Sequence, residues 1–340
     1  MRRYRSLLFL GVAALLLWLL LRRQGEDLPE VLALLPRVNW ALVALAVGLQ
    51  GLFFLDQAAL CRAIAVPLRF RLPLGRLYLL VLAMAGASRV VPVGTAAGVA
   101  VFAQTLAADG ISALESLMNQ AVYHLLDYAA FVVFLFAGVI YLIKYQKLAP
   151  GLLSAALLLA VLIAAAAVVF LLLILRPQPA FRLLQGLLSR LNAAWRKRLG
   201  RELVAGDPIL ANLANALAVL RSFGHQGTLL WAVALAAGLQ VIDLGILYAL
   251  FAAIGQGVPL GTLVAGFGVA TLFSLLTFVP NGLGVFAASM AWVYAYLGLP
   301  GPAAAAVALL YRAVTFWLPV PAGLLGYYYL QRGRRSGSGR

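Results

Sequence analysis

Ionisable and amide side chains occur inside strongly apolar segments of this chain. Gln120, His124 and Asp127 lie in the apolar stretch 116–143, and their spacing places them on one face of a helix. An ionisable group inside a membrane helix costs about 2.5–3.5 kcal/mol on insertion scales, so it is usually functional. The stripe could couple protons, with His124 titrating near neutral pH, or bind a polar headgroup. A purely structural interhelical hydrogen-bond network is the alternative.

Arg312 is the candidate for a phosphate contact. It lies midway along the apolar stretch 303–330, beside Tyr311. A guanidinium group can hold a phosphate through two parallel hydrogen bonds. The alternative is a structural ion pair with Asp127 or Asp243. Arg89, three residues before Pro92 in the sequence, is predicted to offer a second phosphate contact.

Other polar residues and glycines complete the candidate site. Asp243 follows Gln240 by three residues, and both Gln240 and Gln50 are predicted to form hydrogen bonds between helices. Glycines after a proline permit tight turns whose exposed N–H groups favour an anion. The predicted substrate-binding residues are Arg312, Arg89, Pro92, Gly94, Pro280, Asn281, Gly282, Gly284, Tyr123 and Tyr311. The predicted polar or proton-coupling network is His124, Asp127, Gln120, Asp243, Gln240 and Gln50.

The sequence contains no recognisable catalytic or metal-binding motif. The two histidines, His124 and His225, lie on different segments, and Cys61 is the only cysteine. There is no phosphate-binding loop, nucleotide fingerprint or nucleophile elbow. We therefore predict no catalytic residues, no metal and no cofactor.

The composition indicates a membrane protein. The 340 residues are 64% hydrophobic and 11% charged, whereas soluble domains carry about 25% charged residues. The net charge of +16 lies mainly between the apolar segments, as cytoplasmic loops of membrane proteins require. It favours anionic lipid headgroups as partners and does not indicate nucleic acid.

The chain repeats itself. ALAVGLQ at 44–50 is matched by ALAAGLQ at 234–240, and PLG at 73–75 by PLG at 259–261. VPVG at 91–94 is matched by VPNG at 279–282, and from the proline onward the offset is constant (280 − 92 and 298 − 110 both give 188). Two halves with Gly/Pro-interrupted apolar segments at matching places are typical of transporters built from repeats.

The apolar pattern predicts an all-α polytopic membrane protein. Six full spans are predicted at 7–21, 41–60, 116–143, 152–175, 229–253 and 303–330, the first being an uncleaved span because no cleavage site follows it. Segments 77–91 and 95–108 have about 15 residues each, which is too short to cross comfortably, and are predicted to form a re-entrant hairpin. Segments 260–279 and 283–296 flank Pro280-Asn281-Gly282 and are predicted to form a second hairpin.

One transmembrane domain, 1–330, is therefore predicted. Its repeats, about 41–143 and 231–330, are joined by span 152–175 and a cytoplasmic basic amphipathic segment, 176–225. The single connecting span inverts the second repeat and places a substrate site near the midplane. Residues 331–340 are predicted to be a disordered basic tail, and both termini are predicted to be cytoplasmic.

The segment 279–323 resembles the flippase-like transmembrane domain of bacterial lysylphosphatidylglycerol synthases, and the first half resembles it through Pro92, Gly94 and Asp127. The matching residues of the second half are Pro280, Gly282, Gly284, Gly298, Arg312, Phe316, Trp317, Leu318, Pro319 and Gly323. The resemblance covers nearly the whole chain and implies lipid translocation in a bacterial or archaeal cytoplasmic membrane.

The chain departs from the family pattern at three places. Ala287 stands where the family has a glutamate, Thr95-Ala96-Ala97 lacks the glutamate of the first turn, and Tyr123-His124 replaces a Glu-Arg pair. No synthase domain is expected, so we predict a stand-alone translocase for an anionic phospholipid or polyprenyl-phosphate-linked lipid. The alternatives are a membrane enzyme acting on a lipid-linked substrate and a non-catalytic partner of a separate lipid synthase or glycosyltransferase.

Overall fold

A computed structural model describes residues 35–68, 70–90, 94–145, 186, 189–190, 228–276 and 285–337, and the elements in this part are helical. The first half contains a 3₁₀ turn, Leu35–Arg37, and the helices α1 (Trp40–Ala65), α2 (Leu74–Val90), α3 (Thr95–Ala107) and α4 (Ala113–Tyr145). The second half contains α5 (Thr228–Ala253), α6 (Leu260–Leu276), α7 (Val285–Tyr296), α8 (Gly301–Arg312), a π-helical turn (Ala313–Trp317) and α9 (Pro319–Gly337).

Within these residues, four helical stretches are long and apolar enough to cross a membrane. They are α1, α4, α5 and the continuous run from α8 through the π turn to Arg332. The predicted spans at 41–60, 116–143, 229–253 and 303–330 are thus confirmed to within a few residues, and the protein is a polytopic all-helical membrane protein. The predicted spans 7–21 and 152–175, and almost all of segment 176–225, lie outside the described residues.

Helix α9 continues to Gly337 and so includes the first residues of the segment 331–340, which was predicted to be a disordered basic tail. Residues 338–340 lie outside the described part of the chain.

The four remaining helices are short. Helices α2 and α6 have 17 residues each, α3 has 13 and α7 has 12, which gives lengths of about 18–25 Å. This is less than the ~30 Å of a hydrocarbon core. Each short helix packs against its neighbour in the chain, α2 with α3 and α6 with α7.

The equivalent helices α1 and α5 run in opposite directions. In α1 and α5, which carry the repeated GLQ sequence, a Cβ on Gly238 would lie 3.0 Å from Asp56 Oδ2, and a Cβ on Gly245 would lie 3.6 Å from Leu49 Cδ1. At the far end, the N–H of Asn39 donates to the carbonyl of Ala253 at 2.8 Å. Residue numbers that increase along α1 therefore face residue numbers that decrease along α5, so the pair is antiparallel.

In each half, one short helix packs against the last helix of the other half. A Cβ on Gly138 in α4 would lie 2.8 Å from Ala265 Cα in α6, and a Cβ on Gly326 in α9 would lie 2.9 Å from the Leu79 carbonyl oxygen in α2. The repeat offsets match Gly138 with Gly326 and Leu79 with Ala265. The same contact is therefore made twice, and the two halves interlock.

The turns that follow α3 and α7 are also equivalent. Gly110 and Gly298 both have positive φ, 78° and 96°, the conformation that favours glycine after a helix C-terminus. The N–H of the next residue donates to the carbonyl five positions back in both turns, from Ile111 to Leu106 and from Leu299 to Tyr294, each at 3.1 Å.

Because the backbones of α2 and α9 are in contact, a larger side chain between them should lower the stability of the protein. A Cβ on Gly86 would lie 2.9 Å from Gly323 Cα, whereas a Cβ on Gly48 would have no neighbour within 4 Å. We expect Gly86→Ala to lower the unfolding free energy by about 1–3 kcal/mol through overpacking, although alanine improves helix propensity at both sites. Thermal unfolding in detergent measures the effect, with Gly48→Ala as the matched control. Equal melting temperatures for the two variants would contradict this packing.

Candidate functional site

A central pocket of about 220 Å³ lies between the two halves. It is lined by residues from α1, α5, the end of α2, the start of α7, the end of α8 and the π turn: Gln50, Phe53, Arg89, Asp243, Phe286, Tyr311, Arg312, Thr315 and Phe316. Gln50 and Asp243 lie near the middle of the antiparallel helices α1 and α5. The pocket is therefore level with the middle of these two helices.

Arg89 joins the first half to the π turn of the second half. Its Nε and Nη2 atoms donate to the carbonyl of Thr315 at 3.2 and 2.9 Å, and its Nη1 donates to the carbonyl of Ala85 at 2.9 Å. In a regular helix the Thr315 carbonyl would accept from residue 319, but that residue is Pro319 and has no N–H. The arginine thus satisfies a carbonyl that the proline leaves open.

Arg312 lies between two aromatic rings. Its Cζ atom is 4.8 Å from the ring centroid of Phe286 and 5.1 Å from that of Phe316, and Phe286 also stacks on Tyr311. A guanidinium over an aromatic face is attracted by the ring quadrupole, more strongly when desolvated. The rings hold this charge at the pocket wall.

Asp243 places a carboxylate in the same pocket. The hydroxyl of Tyr311 donates to Asp243 Oδ1 at 2.6 Å. The pocket therefore combines two guanidinium groups, one carboxylate and three phenylalanine rings. The carboxylate offsets part of the positive charge of the two guanidinium groups. The remaining charge beside the phenylalanine rings suits an anionic group with an apolar attachment.

The predicted polar stripe on α4 lies elsewhere. Asp127 Oδ1 accepts a hydrogen bond from Gln240 Nε2 at 2.9 Å, and Gln120 Nε2 lies 3.8 Å from Cys61 Sγ. His124 contacts the rings of Tyr123 and Tyr128. None of the predicted residues Gln120, Tyr123, His124 and Asp127 is among the described residues that line the pocket.

The glycine-proline tips are mostly outside the described part of the chain. Pro92, Pro280, Asn281, Gly282 and Gly284 fall there. Gly94 is described and begins α3 with φ 55°, ψ −124°, a conformation that favours glycine. Arg89 shortly precedes the first undescribed tip and Phe286 shortly follows the second, and both residues line the pocket.

Sequence reasoning brought Arg89, Arg312, Tyr311, Asp243 and Gln50 forward, and the structure places all five around the pocket. It missed the phenylalanines and the Thr315 carbonyl. The signal for Thr315 was available, because a proline four residues later always frees a helix carbonyl. Within the described residues, no three His, Cys, Asp or Glu side chains converge on a possible metal site.

Comparison with known proteins settles the family. Residues 6–323 match the family model described as "Lysylphosphatidylglycerol synthase TM region". The chain belongs to this family. The resemblance found in 279–323 is thereby confirmed for most of the chain.

A relative from Methanothermobacter thermautotrophicus (strain Delta H), described as "UPF0104 membrane protein", is 32% identical over 79 residues. That match covers 23% of this chain and 24% of the relative. The chain thus aligns with about a quarter of the relative's length.

The Arg89–Thr315 contact can be tested by a double-mutant cycle. We expect Arg89→Ala to lower the free energy of unfolding by about 1–3 kcal/mol, because it leaves a partly buried carbonyl without its donor. Pro319→Ala restores an N–H at position 319, so Arg89→Ala should cost less in that background. Unfolding in detergent measures the coupling, for which contacting groups give about 0.5–3 kcal/mol. Purely additive effects would show that the arginine does not replace the missing N–H.

Proposed function

We propose that this protein is a translocase for an anionic amphiphilic lipid, either a phospholipid or a polyprenyl-phosphate-linked lipid. The observation that carries the proposal is the central pocket, which Arg89 and Arg312 both line beside the middle of two antiparallel equivalent helices. In transporters built from inverted repeats, the substrate site lies at this place. Membership of the lysylphosphatidylglycerol synthase TM region family supports a role in lipid handling.

The headgroup would bind through the two guanidinium groups. Arg89 is oriented by two helix carbonyls, and Arg312 by the rings of Phe286 and Phe316. Both positions are fixed before substrate arrives, so little side-chain entropy is lost on binding. Asp243 balances part of the charge in the empty pocket, which makes two arginines tolerable inside the membrane.

Inverted topology gives the pocket a route to both leaflets. We infer that the two halves are inverted repeats with re-entrant hairpins, that both termini are cytoplasmic, and that the membrane is the cytoplasmic membrane of a bacterium or archaeon. The antiparallel pair α1 and α5, and the contact made twice by the short helices, support this arrangement. Rocking of one half against the other would then expose the same pocket alternately to each side.

Removal of the Arg312 charge should slow lipid movement. A charge-assisted hydrogen bond contributes about 1.5–3 kcal/mol, so we expect Arg312→Gln to reduce transport by roughly 10- to 100-fold. The measurement is a leaflet-resolved assay in proteoliposomes with fluorescent phospholipid and polyprenyl-phosphate analogues. The matched control is Arg37→Gln, because Arg37 is exposed and lies outside the pocket.

Three outcomes would contradict the proposal. Unchanged movement in folded Arg312→Gln protein would remove the arginine from the mechanism. A change in lipid mass, detected by mass spectrometry of the extracted lipids, would indicate an enzyme. Absence of both movement and conversion would favour a role as partner of a separate lipid-modifying enzyme.

The inverted arrangement predicts opposite accessibility of equivalent turns. Ala108 and Tyr296 are exposed and are matched by the repeat. In a Cys61→Ser background, which removes the only cysteine, we expect Ala108→Cys and Tyr296→Cys to react with a membrane-impermeant maleimide from opposite sides. Right-side-out and inside-out vesicles measure this. Labelling of both from the same side would indicate parallel repeats.

A further inference from the structure

A second cavity, of about 200 Å³, lies where α1 ends and α2 begins. It is lined by Arg62, Val66, Phe70, Arg71 and Leu72. None of these residues lines the central pocket. The cavity is therefore a separate feature of the first half.

The lining combines two charged groups with an apolar floor. Arg62 and Arg71 are exposed, whereas Phe70 is only 7% exposed. The N–H of Phe70 donates to the carbonyl of Ala65 at 3.2 Å and so fixes the chain as it leaves α1. Two guanidinium groups beside an apolar surface match a phosphate that carries an apolar tail.

The depth of the cavity suits a lipid headgroup. Helix α1 is a candidate membrane span that ends at Ala65, and the cavity begins with residues at its end. The boundary of a span lies at the level of the headgroups. Val66, 37% exposed, would then face the acyl chains while the two arginines face the phosphate.

The charges belong to one half of the molecule only. The repeat matches Arg62 with Ala252 and Arg71 with Gly257, and the connection 254–259 contains no Lys or Arg. The fold therefore does not require arginine at these positions. Arg76, the next arginine in the chain, forms an ion pair with Asp109, so it has a different role.

We propose that the cavity formed by Arg62, Val66, Phe70, Arg71 and Leu72 binds the phosphate of an anionic phospholipid of the adjacent leaflet. The two guanidinium groups hold the phosphate oxygens, and Val66 and Leu72 contact the start of the acyl chains. The site does not take part in the central pocket and does not depend on translocation.

The test uses substitutions that keep the charge. Lysine preserves the positive charge that sets topology but cannot form the two-pronged contact. In the Arg62→Lys/Arg71→Lys variant we expect retention of phosphatidylglycerol to fall about tenfold, which corresponds to the loss of one charge-assisted hydrogen bond. Native mass spectrometry of the full chain, delipidated and then supplied with phosphatidylglycerol, measures retention, with Arg37→Lys as the matched control.

The contribution of the central pocket to lipid retention must be distinguished from that of this cavity. The same comparison is therefore made in the Arg312→Gln background, where the lysine pair should again reduce retention about tenfold. Because the readout is bound lipid rather than movement between leaflets, loss of this site and failure of the translocase proposal give different results.

The remaining outcomes decide the ligand. Equal retention in the lysine pair and the unsubstituted protein, in both backgrounds, would overturn the proposal, since charge alone would then suffice. Displacement of the lipid by equimolar glycerol phosphate or inorganic phosphate would assign the cavity to a soluble phosphate and overturn the lipid assignment. Retention of phosphatidylcholine as strong as that of phosphatidylglycerol would overturn the preference for an anionic headgroup.

Discussion

The contact between Arg89 and the carbonyl of Thr315 connects the parts on which the pocket depends. In a regular helix, Pro319 removes the N–H that would satisfy this carbonyl, and a backbone carbonyl within a membrane span needs a partner. Arg89 donates two N–H groups to it, which brings the end of α2 to the π turn. One proline thereby determines where a charge from the first half meets the second half.

Close backbone packing makes that meeting possible. The Gly86–Gly323 approach lets α2 lie against α9 with no side chain between them, as small residues allow in membrane helices. In the same helix pair, the contact between Gly326 and Leu79 recurs in the other half between Gly138 and Ala265, so each half completes the other. The pocket is a consequence of this exchange, since neither half alone supplies its wall.

The repeated sequence does not lead to identical chemistry in the two halves. Tyr311 donates to Asp243. In the first half, the counterpart of Asp243 is Phe53, and the counterpart of Tyr311 is Tyr123, which contacts His124. Arg312 lies at the pocket and His124 does not. The backbone keeps the symmetry, while the polar side chains break it and give the pocket its positive charge.

The sequence by itself determined the helices, the four described spans and the repeat, because length, apolar content and internal matches are local properties of the chain. It also selected Arg89, Arg312 and Asp243, since charges in apolar segments are costly. Only the tertiary structure decided which polar residues share one pocket. That choice depends on helix rotation and on the packing of α2 against α9, which arise from contacts between residues more than 200 positions apart, such as Arg89 and Thr315.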